Sequence, residues 1–110
     1  MAISKPHEVD KAAARKSLKV ALYKKIDAAK ENHRMVLKDA RISTNFASIT
    51  ASVVREKLSK SALDTVFSSL VRDIAVANRV NVLTHSMATV KIRYVDHISG
   101  EVIAVDLKSL

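Results

Sequence analysis

At 110 residues the chain has room for one domain with an appended helix, and an apolar fraction of 48 % excludes wholesale disorder. It has no cysteine, which excludes a disulfide framework and a thiolate zinc site. The net charge of +8 is uneven, with eleven Lys/Arg against five acids in residues 1–45 and eight against six in the rest, a bias that points to phosphate-bearing partners.

Only Gly100 and Pro6 punctuate the chain, which favours helices over a many-turned β fold. After Pro6 a helix is expected from about Glu8 to Lys38. Leu18, Leu22, Ile26, Ala29, His33 and Val36 recur along it at helical spacing and form one apolar stripe. Lys16, Lys19, Lys24, Lys30 and Arg34 fall largely off that stripe. A break is expected at Arg41–Asn45, then a second helix from about Thr44 to Lys57 presenting Phe46, Ile49 and Val53. Ser61 and Asp64 have the spacing of a capping box for a third helix running to about Ala77. Its face of Leu63, Val66, Phe67, Leu70, Val71 and Ile74 is the cleanest in the chain. From Arg79 the period shortens. A short strand is expected at Arg79–Leu83. The alternating Thr89–Val95 forms another, a turn follows at Asp96–Gly100, and a return strand occupies Glu101–Leu107. The class is therefore α+β, N-terminal helices followed by a small antiparallel β-sheet.

Chemistry for catalysis is missing. His7, His33, His85 and His97 are scattered, with no pair at ligand spacing. One glycine cannot build a phosphate-cradling loop, and no nucleophile elbow or paired carboxylates occur. These absences predict neither an enzyme, nor a cofactor, nor a metal site, nor a small-molecule substrate. No apolar run reaches signal-peptide or membrane-spanning length, so a cytoplasmic protein that avoids membranes is expected. The four aromatic residues, Tyr23, Phe46, Phe67 and Tyr94, are too few for extensive base stacking.

From about residue 44 to 107 the chain resembles the HU/IHF family of bacterial architectural DNA-binding proteins. Leu58-Ser59-Lys60 is similar to that family's turn between two helices, and Ala62-Leu63-Asp64-Thr65-Val66-Phe67 to its core stretch. Arg79-Val80-Asn81-Val82, Ala88–Arg93 and Ser99-Gly100-Glu101-Val102-Ile103 fall where its strands are usual. The resemblance implies an HU-like body at 44–110, preceded by a basic helix at 1–43. It also implies a homodimer with Phe67, Leu70 and Ile74 in its core. The family's long β-arm with its intercalating proline is absent, since only six residues separate Arg93 from Gly100, and so is its C-terminal helix. Its glycine-phenylalanine-glycine turn is replaced by Leu83–Met87.

Sequence-nonspecific binding of double-stranded DNA through phosphate contacts is the expected function. Lys11, Arg15, Lys16, Lys19, Lys24 and Lys25 of the first helix, with Lys91 and Arg93 of the body, are the candidate contacts. Such a protein would sit on the nucleoid or in a virion. A dimeric adaptor or phage structural protein gripping a protein through its first helix is the rival reading. A small RNA-binding accessory protein is a third.

Overall fold

The computed structural model describes the backbone of residues 6–110 and the side chains of residues 11–110. His7 thus lies outside the described side chains. Helix α1 (Pro6–Asn32) opens on a proline, whose missing N–H costs nothing in a first helical turn. Strands β1 (Leu37–Ile42) and β2 (Ser48–Val53) follow as a hairpin, then a short 3₁₀ turn at Arg55–Lys57. Helix α2 (Lys60–Arg79) leads to a second hairpin of β3 (Thr89–Asp96) and β4 (Val102–Ser109). The sheet order is β1-β2-β3-β4. Both hairpins are antiparallel, while β2 and β3 run parallel with α2 as their crossover.

The α+β class holds. The sheet is mixed, however, because a hairpin stands where a second helix was expected at Thr44–Lys57. Phe46, Ile49 and Val53 do reach the core as expected, but the last two do so with Ala51 on one face of a strand, alternating with Thr50 and Ser52. The short helix before Leu58-Ser59-Lys60, on which the HU-like pairing depends, is therefore replaced by β2 and the 3₁₀ turn. Helix α1 also stops at Asn32 rather than Lys38. The His33 carbonyl accepts the N–H groups of Val36 and Leu37 and closes a turn into β1.

Helix α2 matches expectation except at its ends. Its N-cap is Ser59, whose hydroxyl accepts the Ala62 N–H, and not Ser61. At Arg79–Leu83 there is no strand. Asn81 takes a left-handed φ of 64°, the Val82 N–H returns to the Ala77 carbonyl, and the Asn81 N–H returns to that of Asn78. That is a Schellman stop, with asparagine in the place glycine usually fills.

Both helices cover one face of the sheet in antiparallel array. Leu22, Ile26 and Ala29 of α1 join Leu63, Phe67, Leu70 and Ile74 of α2 over Leu37, Ile49, Val53, Val90, Ile92 and Tyr94. Phe67 and Tyr94 meet edge to face, with ring centroids 5.8 Å apart. The basic first helix is thus part of the same core as the sheet. Its outer ties include the Lys25–Asp73 ion pair and an Arg15 guanidinium bond to the Val82 carbonyl at 2.9 Å.

Candidate nucleic-acid interface

Burial on one side of α1 decides what its other side presents. With Leu22 and Ile26 at 0 % and 1 % exposure, the residues about half a turn around must face solvent. Lys16, Lys19, Val20 and Lys24 lie there, beside Tyr23 and Asp27, around a shallow open depression. Val20 is 51 % exposed among the lysines. Among the described residues no carboxylate lies within ion-pair distance of Lys16, Lys19 or Lys24. With Asp27 the one carboxylate lining the depression, three like charges on about two turns leave the local potential positive.

The other first-helix candidates divide. Lys11 is exposed. Arg15 and Lys25 are engaged in holding α1 down, Lys25 bonding both Asp73 and the Ser69 hydroxyl at 3.0 Å.

Lys91 and Arg93 occupy a different surface. They alternate with the buried Val90, Ile92 and Tyr94, so they stand on the sheet face that no helix covers. The register sets Arg41, Thr50, Arg93 and Val105 in one row across all four strands, with Ser48, Lys91 and Leu107 in the next. Arg41, 83 % exposed, lies two strands from Arg93, about 10 Å away. Sequence reasoning missed Arg41 because it read that segment as a helix break. The β-branched Ile49, Thr50, Val53 and Val54 were the available signal for a strand there. The lysines of α1 and the cations of the sheet point to opposite sides of the molecule.

No family model matches this sequence, and no curated protein or solved structure matches it either. Among the described residues no group of His, Asp or Glu could hold a metal ion, and no helix is long and apolar enough to cross a membrane.

Phe67, Leu70 and Ile74, expected at a subunit contact, are each 0 % exposed within one chain. The sheet of the same molecule fills that role. Leu22 and Ile26 are likewise turned inward, so the stripe that a partner-gripping first helix would use is already occupied.

Two ion pairs tie α2 to β4. Asp64 lies below the usual carboxylate range, first because of its hydrogen bond and charge contact with Lys108. Asp106 is paired with Lys60 at 2.8 Å. Burial pushes the Tyr94 phenol up to about 12, with Asp106 and Asp64 adding to the effect. These are structural pairings on α2 and β4, away from the lysines of α1.

Proposed function

We propose that this chain is a non-enzymatic, sequence-nonspecific binder of double-stranded DNA that meets phosphates through the outer face of α1. The observation that carries the reading is the exposed set Lys16, Lys19 and Lys24, in no ion pair among the described residues, on a helix anchored by its opposite side. A rigid row of point charges neutralises phosphates and releases counterions without reading bases. Lys11 is also exposed, but it falls on the helix line of Leu18 and Leu22 and not on this row. Arg15 and Lys25 act as ties, and Lys91 and Arg93, facing the other way, belong to a separate surface. A homodimer and a nucleoid or virion location are part of the same reading.

The test is a salt series of gel shifts on duplex DNA, single strands and RNA. The K16Q/K19Q/K24Q variant is expected to bind every duplex more weakly, with the log–log salt slope reduced by roughly one for each phosphate no longer neutralised. K91Q/R93Q is expected to retain most of the slope. Unchanged duplex affinity for the triple variant at physiological salt refutes the assignment. Tighter binding of RNA than of duplex DNA refutes the choice of nucleic acid.

A further inference from the structure

We infer that the outer edge of β4, beside which no strand of the described residues lies, pairs antiparallel with β4 of a second copy of this chain, about a two-fold axis at Leu107.

The two sheet edges differ in kind. β1 is six residues long, is bulged between Leu37 and Asp39, and has its Ile42 N–H occupied by the Tyr23 hydroxyl at 3.0 Å. Those are the devices that keep an edge from recruiting another strand. β4 has eight residues; past a bulge near its start, its register is unbroken from Ala104 to Ser109. The Leu110 N–H bonds the Ala88 carbonyl at 2.9 Å, which fixes the phase. Even-numbered residues turn their backbone groups toward β3, so Val105, Leu107 and Ser109 turn theirs outward. None of these three is charged and none is proline. Val105 and Leu107 are 48 % and 65 % exposed. Over Ala104–Ser109 this edge is free of bulges, and its outward positions carry no charge.

Charge selects both the occupant and the register. With the axis at Leu107, Leu107 faces its own copy, Val105 faces the partner's Ser109 and Ala104 the partner's Leu110. Asp106 then faces the partner's Lys108, and Lys108 the partner's Asp106. Leu107 and the Val105–Ser109 positions are hydrogen-bonded pairs, and Asp106–Lys108 is the closer, non-bonded pair in which side chains meet. Moving the axis to Asp106 sets two carboxylates opposite each other. Moving it to Val105 leaves Asp106 against alanine and Lys108 against valine. Lys60 already holds Asp106, and Asp64 already holds Lys108. Pairing therefore links both bridges into an alternating row of charges across the junction.

Sedimentation equilibrium without nucleic acid tests the pairing, so its outcome is separate from that of DNA binding. The wild-type chain is expected to be dimeric at micromolar concentration. Because Leu107 meets itself, L107K and L107E should each dissociate at least about tenfold more readily, through like charges on the axis. An equimolar mixture of the two should recover a heterodimer. Both substitutions sit on an exposed side chain, and circular dichroism verifies that the fold is intact. V105K, which places a charge on the same edge without touching the axis, should also weaken the dimer. A wild-type monomer up to millimolar concentration overturns the inference. So does a dimer that L107K, L107E and V105K leave unchanged, or a mixture that does not re-associate.

Discussion

The Asn78 carboxamide brackets the backbone of Met87: its Nδ2 donates to the Met87 carbonyl at 3.0 Å, and its Oδ1 accepts the Met87 N–H at 3.1 Å. One side chain thus replaces a rung of backbone pairing and fixes the segment between α2 and β3. Asn78→Leu keeps the approximate volume and removes both bonds from partly buried groups. A loss of about 1–3 kcal/mol in urea unfolding is expected, with faster hydrogen exchange at Met87. An unaltered midpoint would show that the segment is held by other contacts.

Tyr94 gives the fold an alkaline limit. Its folded value of about 12 lies above the value near 10 of an unfolded tyrosine. The neutral phenol therefore stabilises the folded chain fully below pH ~10, and that contribution is lost as pH rises toward 12. Its size is on the order of 2 kcal/mol. Tyr94→Phe should flatten this part of the stability curve, measured as urea midpoints at intervals across the same range. Parallel curves for the two proteins would assign the alkaline loss elsewhere.

The turn between β3 and β4 tests backbone strain almost in isolation. Gly100 has a φ of +76°, and a Cβ added there would meet nothing within 4 Å. Gly100→Val should therefore cost about 1–2 kcal/mol from the left-handed conformation alone, and Gly100→Asn less. Thermal unfolding of the two variants decides this, and a valine variant as stable as wild type would contradict it.

Because α1 shares the core, its inner face should be as sensitive as any strand. Leu22→Ala or Ile26→Ala is expected to cost about 2–5 kcal/mol. Val20→Ala, on the solvent side, should stay within about 0.5 kcal/mol. Equal, small effects at all three positions would mean that α1 is an independent arm.

The contrast between Phe67 and Ile49 shows how much of this was legible. Phe67 belongs to a long stripe with Leu63, Leu70 and Ile74, and a pattern sustained over that many turns admits one period. Strand β3 was equally plain, since Lys91 and Arg93 alternate with Val90, Ile92 and Tyr94. Ile49 and Val53 are four apart, which suits either a helix face or one face of a strand, and no glycine or proline marked the turn before them. That turn is made by Ser43 and Asn45 hydrogen-bonding locally, with Phe46 at a φ of 62°. The bulge after Leu37 removed the alternation that would have revealed β1. Schellman closure at Asn81 was similarly hidden in Arg79–Leu83, whose valines mimic a strand. Within the candidate interface, the lysines of α1 could be named from their spacing. The separation of Lys91 and Arg93 onto another face, and the addition of Arg41, required the register of the sheet.

The parallel ladder between β2 and β3 governs the time course of folding. Each hairpin closes locally, but the ladder joins Ser48–Val53 to Lys91–Asp96 across all of α2. Loop closure of that span is expected to make it the slow step of assembly, after the hairpins have formed. During synthesis the first hairpin emerges long before its central neighbour. Until β3 leaves the ribosome, the inner edge of β2, with Ile49, Ala51 and Val53, has no strand beside it. The nascent chain is then at its most adhesive, and prompt emergence of β3 protects it from aggregation.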